Sequence, residues 1–331
     1  MNRVRDDAWL VTKNGTWETV WVPCTCYLPP DMRSSLRSTS RLVITLFVLS
    51  WTFAGSAETI HLVVDARPVT VIVPVAPSPA QPMPVLMALH GYGGNGPDLV
   101  DSYYLTEAAE QAEVVLILPE GTRDPRGYPF WNAGDACCNF FDRDVDDVAF
   151  LSGLPDIVAA ELAGRVSLDL SRVYLFGLSN GGFMAYRLAC EHPSRFAALV
   201  NVAGAMDATG EDCRPLPPLG VLHVHGTADE TILFDGGELI GSLYTSVEET
   251  LEVWRKAASC DMTWAVEVND LDAKVPGRET RTLEDRCAPG VRVSLWEVNG
   301  AAHEPAVRPS FGAEILAFLL DHQRVVQIDP R

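Results

Sequence analysis

Three observations predict an α/β fold in which a mostly parallel central sheet is flanked by helices in a single domain. Short runs rich in Val, Ile and Leu recur along the chain. The later runs alternate with helical patterns, as a parallel sheet with crossover helices requires. One run feeds directly into Gly177-Leu178-Ser179-Asn180-Gly181, a serine bracketed by glycines at a strand-to-helix turn.

The expected strands are 60–64, 69–75, 85–89, 114–118, 173–176, 197–202, 221–224 and 291–298. The first two, joined by a turn near Ala66-Arg67-Pro68, read as an antiparallel hairpin leading into the sheet. The others are nearly continuous in apolar residues, which implies burial on both faces. A helix from about Asp146 to Leu162 places Phe150, Leu154, Ile157, Val158 and Leu162 on one face. Asp146 and Asp147 favour its N-terminus electrostatically. Another helix follows the glycine-bracketed serine over 183–190. Ser246 and Glu249 form a capping box ahead of a stripe of Val247, Leu251, Trp254 and Ala258. A last helix near Phe311 to Leu320 buries Ile315, Phe318 and Leu319. The proline-rich stretch 77–82 joins early strands, and no internal repeat is present.

The first 57 residues have a different character. Arg33, Arg37 and Arg41 precede an uncharged apolar stretch, 42–53, which ends in Ala54-Gly55-Ser56-Ala57. This is the pattern of a secretory signal peptide cleaved after Ala57. The stretch is shorter than the ~20 residues a spanning helix needs. Met32 begins a signal of ordinary shape, whereas residues 1–31 add Asp6, Asp7, Glu18, Cys24 and Cys26, where such signals do not carry them. The expected organisation is an extension upstream of the true start over 1–31, a signal peptide over 32–57 and a catalytic domain over 58–331. The protein is therefore expected to be secreted, either to the periplasm or to the medium.

The 331 residues carry a formal net charge of −19. Such a surface disfavours nucleic acid and anionic lipid as partners, but not a neutral polymer or a small ester. No membrane association is expected after signal cleavage, and oligomeric state stays open. Six of the eight cysteines follow the leader, an even number that suggests disulfides in an exported chain. Cys260 and Cys287 are the expected pair, because they bracket a polar excursion from Asn269 to Asp285. Pairing among Cys137, Cys138, Cys190 and Cys213 is undetermined. Adjacent cysteines do not suit one tetrahedral ion, so no metal is expected.

A serine hydroxyl is a poor nucleophile until a base takes its proton, and a sharp strand-to-helix turn presents it where a histidine can reach. In the α/β-hydrolase arrangement the acid and the histidine follow later strands, in that order. Asp229, in His225-Gly226-Thr227-Ala228-Asp229, lies beyond the strand 221–224, with Glu230 as the rival acid. His303, in Gly300-Ala301-Ala302-His303, lies beyond the strand 291–298. His303 would take the Ser179 proton while Asp229 holds the imidazole tautomer. His90, His223 and His225, on or at the ends of apolar strands, read as structural. The N–H of Asn180, next to the nucleophile, and that of Tyr92, in the loop His90-Gly91-Tyr92-Gly93-Gly94, are the candidate oxyanion donors.

Several segments together resemble the secreted polyhydroxybutyrate depolymerase and feruloyl esterase group of α/β-hydrolases. They are LHGYGGNG from Leu89, PEGT from Pro119, WNAG from Trp131 with Cys137-Cys138 after it, VDDVAFL from Val145, GLSNGGFMAYRLAC from Gly177 and HGTAD from His225. The resemblance covers nearly all of 58–320. It implies a serine esterase without cofactor, with Ser179, Asp229 and His303 at the triad positions and Tyr92 and Asn180 at the oxyanion positions. One departure is His303-Glu304-Pro305-Ala306, where members of the group often have a tryptophan and a proline after the histidine. Trp131 and Asn132, on the connection after the strand 114–118, are the candidate substrate-binding residues. The expected substrate is a hydroxyalkanoate oligomer or short acyl ester, with feruloyl or acetylxylan esters as an alternative. An acyltransferase using the same acyl-enzyme is a further alternative.

Overall fold

The computed structural model describes residues 8–11, 17–20, 57–75, 81–208, 216, 218–287 and 290–324. The chain divides into two units, Met1–Thr52 and Phe53–Arg331. In the first, β1 (Ala8–Val11) and β2 (Trp17–Val20) pair antiparallel, with Ala8 opposite Val20. The expected signal segment 32–57 lies outside the described residues except for Ala57.

The second unit opens with a hairpin of β3 (Glu58–Val64) and β4 (Arg67–Val73). Its turn residues are Asp65 and Ala66, both left-handed with φ of 49° and 61°, the geometry a two-residue hairpin loop requires. There follow β5 (Met83–Leu89), α1 (Gly96–Ser102), α2 (Leu105–Ala112), β6 (Val115–Pro119) and a small ribbon of β7 (Thr122–Arg123) with β8 (Pro129–Phe130). Next come α3 (Asp147–Glu161), β9 (Leu168–Leu178), α4 (Asn180–Glu191), β10 (Ala198–Val202) and β11 (Gly220–Gly226). A second ribbon, β12 (Gly237–Leu239) with β13 (Ser242–Tyr244), precedes α5 (Val247–Ala257). The chain then forms β14 (Cys260–Asn269), β15 (Thr280–Cys287), β16 (Arg292–Val298) and α6 (Phe311–Leu320).

Ten strands form one sheet in the order β14-β15-β16-β11-β10-β9-β5-β6-β4-β3. The six from β16 to β6 are parallel, and the strands at either edge are antiparallel. Successive residues of β5 show why its sequence lacks alternation. Val85, Met87 and Leu89 pack on the side of α3, α4 and α5, while Leu86 and Ala88 pack on the side of α1, α2 and α6. Every residue of β5 is buried, as expected for a strand covered on both faces.

The α5 capping box is present: the Ser246 hydroxyl accepts the Glu249 N–H at 3.1 Å, and the Glu249 carboxylate accepts the Ser246 N–H at 2.8 Å. Asp146 caps α3 by accepting the Ala149 N–H at 2.9 Å. One side chain expected on the buried face of α3 is not there, since Ile157 is 38% exposed. Asp147 does more than favour the helix dipole. It is fully enclosed, pairs with Arg67 and accepts the Asn132 N–H at 2.7 Å, tying β4 to the loop after β8.

Cys260 and Cys287 are bonded and stand directly opposite each other in register. The excursion between them is no loose loop. Most of it is the β14–β15 hairpin, which extends the sheet beyond β16. A link closing 27 residues of chain contributes about 3–4 kcal/mol in the chain-entropy account. Cys137 and Cys138 are bonded to each other, and Cys190 is also disulfide-bonded. Among the described residues no helix is long and apolar enough to cross a membrane.

Candidate active site

The strands β9, β10, β11 and β16 are consecutive neighbours and all parallel, so the loops leaving their C-terminal ends share one edge of the sheet. Ligands of open α/β sheets bind at that edge. Ser179 follows β9, Asp229 follows β11 and His303 follows β16. Residues 50 and 124 positions apart in sequence are therefore brought together by strand order alone.

Ser179 sits at the entry to α4 with φ 53° and ψ −118°, a conformation that L residues rarely adopt. Strain of this kind costs on the order of 1–3 kcal/mol and persists only where the surroundings enforce it. Here the Ser179 N–H donates to the Val202 carbonyl at 2.8 Å, binding the turn to β10. The flanking glycines are required by close approach. A Cβ on Gly177 would lie 2.2 Å from the Gly181 carbonyl oxygen, and one on Gly181 would lie 2.0 Å from that of Leu89.

His303 Nε2 is 2.8 Å from Ser179 Oγ, and its Nδ1 is 2.7 Å from Asp229 Oδ2. The other carboxylate oxygen accepts the N–H groups of Thr231 and Ile232 at 2.8 and 2.9 Å. The loops after β11 and β16 are stitched together. Thr227 N–H donates to Val298 O at 3.0 Å, Ala228 N–H to Ala301 O at 3.0 Å and Gly300 N–H to Thr227 Oγ1 at 2.9 Å. Burial alone would raise the Asp229 carboxyl, but hydrogen bonds from His225, His303 and Ile232 hold it well below the usual carboxylate range. It is thus a fixed anion beside the imidazole. The rival Glu230 is exposed. An arrangement with a hydroxyl, an imidazole and an anchored carboxylate in line can pass a proton from the hydroxyl to the ring.

Asn180 is the first residue of α4, whose opening turn leaves N–H groups that the helix itself does not use. The loop bearing Tyr92 lies against the serine, since a Cβ on Gly91 would be 3.5 Å from Ser179 Cβ. That loop is braced by Gly94 N–H on Gly91 O at 3.0 Å and Gly93 N–H on Pro129 O at 2.8 Å.

The two expected substrate-binding residues are placed differently. Trp131 is wholly buried, with its indole N–H donating to His90 O at 2.9 Å. Its backbone N–H and carbonyl pair with the Asn180 side chain at 2.8 and 2.9 Å. Asn132 spends its side-chain amide on Val145 O at 3.1 Å. Trp131 therefore builds the loop rather than facing a ligand, and the half-buried Asn132 is tied into the same loop by its amide; sequence does not reveal which side of that loop is solvated. The exposed aromatics nearby are Tyr128, at 50%, and Phe141, at 40%. The Tyr92 ring meets Tyr128 and Phe140 at centroid distances of 5.9 and 5.3 Å. Its hydroxyl donates to the buried Asp124 and accepts from Arg126 at 2.5 Å.

Of the histidines read as structural, His90 is buried, accepts the Gly121 N–H at 3.0 Å and is pushed down to about 4 by burial. His225 is the residue that the sequence reading undervalues. Its Nε2 lies 3.2 Å from Asp229 Oδ2, on the same oxygen that faces His303. The spacing of four residues between His225 and Asp229 is the only sequence signal of that contact.

This fold and this site define an α/β-hydrolase. The sequence model of the prolyl oligopeptidase family matches residues 154–231. The chain is 32% identical over 244 residues to a putative esterase NocK of Nocardia uniformis subsp. tsuyamanensis, which covers 70% of this chain and 67% of that protein. It is 24% identical over 228 residues to feruloyl esterase B of Piromyces equi, which covers 66% of this chain but only 39% of the relative's length. The solved acetyl xylan esterase from Aspergillus awamori aligns with a TM-score of 0.52 at 16% identity, covering 81% of this chain and 100% of that one. The chain belongs to the α/β-hydrolase esterase family and is a carboxylic ester hydrolase.

Proposed function

We propose that Ser179 attacks the ester carbonyl while His303 Nε2 accepts its proton and later returns it to the leaving alcohol. Water then hydrolyses the acyl-enzyme with the same histidine as base. Asp229 holds the Nδ1 proton and stabilises the charged ring, and the N–H groups of Asn180 and Tyr92 receive the oxyanion. The continuous hydrogen-bonded line Ser179–His303–Asp229 carries this reading.

Residues on the rim support a substrate class. Tyr128 and Phe141 offer exposed apolar faces beside the Tyr92 loop, and a net charge of −19 with Glu304 next to the base disfavours an anionic polymer surface. These exposed apolar faces support soluble hydroxyalkanoate oligomers and short acyl esters as substrates. Feruloyl and acetylxylan esters are the second reading, favoured by the relatives named for those activities. Transfer of the acyl group to a sugar or lipid hydroxyl instead of water is a third outcome.

The test is a panel of hydroxybutyrate trimer and film, methyl ferulate, acetylated xylan and graded aryl esters, with competing alcohols to detect transfer. We expect the trimer and short esters to turn over faster than film. Tyr128→Ala should raise KM several-fold while sparing kcat, because truncating an exposed aromatic removes uniform binding of about 1 kcal/mol. Preference for film, or indifference to Tyr128→Ala, would overturn this description of the cleft. Disulfides at Cys137–Cys138 and Cys260–Cys287 support export through an oxidising compartment. Glu58 is then the first residue of the exported chain, as N-terminal sequencing would read.

A further inference from the structure

A line of buried side chains extends from Asp229 into the interior, ending on Tyr186 of α4. His225 Nε2 is 3.2 Å from Asp229 Oδ2 and 2.8 Å from the Ile232 carbonyl oxygen. His225 Nδ1 is 3.0 Å from His223 Nε2, and His223 Nδ1 is 2.7 Å from the Tyr186 hydroxyl. His223, His225 and Tyr186 are each at most 1% exposed. The two imidazoles are nearly coplanar, at 11° with centroids 5.3 Å apart, and Tyr186 in turn stacks on Trp254.

The direction of the hydrogen bonds in this line is set from its two ends. His225 Nε2 faces two oxygens that can only accept, a carbonyl and a carboxylate held ionised, so Nε2 carries the proton. At the other end the Asn201 amide donates toward His223 Nδ1 at 3.2 Å, so a neutral His223 carries its proton on Nε2 and His225 Nδ1 accepts it. His223 Nδ1 is then bare, and both groups beside it are donors: the Tyr186 hydroxyl and the Asn201 amide, at 3.2 Å. Burial pushes His223 well below and Tyr186 well above their ordinary values, consistent with an uncharged line. The reverse polarity would leave a bare Nε2 against two acceptors in a dry interior, an arrangement that costs a full desolvation penalty.

We propose that His225 is a positioning residue of the active site, delivering through the directed line Tyr186–His223–His225 a second imidazole N–H to the Asp229 oxygen that holds His303. This inference rests on the reading of Ser179, His303 and Asp229 as the reacting relay. Two consequences follow. With Thr231 and Ile232 on one oxygen and two histidines on the other, the carboxylate has one rotamer. Removing the His225 N–H would leave more of the Asp229 charge on the oxygen that faces His303, which favours the protonated ring. The titratable groups that face the line are Asp229 and His303 at one end and Tyr186 at the other; the neighbours from β10 and the loop after β11 are Asn201 and the uncharged Phe234 ring.

The experiment compares His225→Leu with His225→Gln, whose amide can still donate to Asp229, using rates per site titrated by a fluorophosphonate. His225→Leu should lower kcat roughly tenfold, the rate equivalent of one net hydrogen bond, with little change in KM. It should also move the acidic limb of kcat/KM to higher pH, and His225→Gln should move both quantities back toward wild type. A labelled His225→Leu enzyme with an unmoved limb, or a glutamine variant no nearer wild type than leucine, overturns the proposal. If the leucine variant does not fold, the wild-type enzyme serves. Nitrogen-15 histidine spectra at neutral pH should show both His223 and His225 as Nε2–H tautomers with bare Nδ1 atoms, and an Nδ1–H or charged His225 overturns the line. Failure of the parent reading is distinct, since wild-type enzyme would then show no phosphonate label on Ser179.

Discussion

Replacement of Ser179 by Ala is expected to lower kcat by about 10⁶-fold and to abolish covalent phosphonate labelling, the loss typical when the nucleophile of a triad is removed. The fold should survive. The variant loses one half-buried hydroxyl whose partner, His303, keeps its second bond to Asp229 at 2.7 Å. The alanine would inherit the same φ of 53°, because that backbone is enforced by the Ser179 N–H on Val202 O and by the glycines on either side. Circular dichroism and thermal unfolding alongside initial rates check both halves. Wild-type turnover by the purified variant would remove Ser179 from the mechanism.

The second large effect is expected from Asp229→Asn. In the native protein one carboxylate oxygen accepts two backbone N–H groups and the other faces imidazole donors from His303 and His225. An asparagine must keep its carbonyl oxygen toward Thr231 and Ile232, so its NH₂ is directed at two other donors. His303 would relieve the clash by moving its proton to Nε2, the tautomer that cannot accept from Ser179. Loss of about 10⁴-fold in kcat at neutral pH is the expected size for such a tautomer error. Substrate binding should change little, because Asp229 is buried behind the histidine. Rates on a short aryl ester, with imidazole spectra to report the tautomer, test the argument. A drop of less than tenfold would show that Asp229 is not the orienting acid.

Much of this molecule is written locally. The last six residues of the strand before Ser179, Val173 to Leu178, are all buried, and the two glycines around Ser179 are needed because nothing larger fits against Gly181 O and Leu89 O. The α5 capping box and the stripe beneath it are adjacent in sequence and so are legible there. Chain order was enough to nominate Asp229 and His303, since loops leaving neighbouring parallel strands emerge at one edge. The helices α1 and α2 were not legible, because 7 and 8 residues span too few turns for a periodic pattern to form. β14 and β15 are not among the expected strands for a related reason. A strand at the sheet edge is satisfied by backbone pairing and needs little apolar sequence.

Sequence by itself determined the fold class, the elbow and the identities of the three residues now found within hydrogen-bonding distance. The tertiary structure alone decided which polar side chains are buried and which way each group faces. Trp131 became buried support for its loop because Asn180 and His90 accept or offer its hydrogen bonds from elements 49 and 41 residues away. His225 became a partner of Asp229 because the turn after β11 folds the carboxylate back over its own strand. The burial of Trp131 depends on groups that meet only when distant strands have paired, and the four-residue spacing of His225 and Asp229 does not by itself say which way either side chain faces.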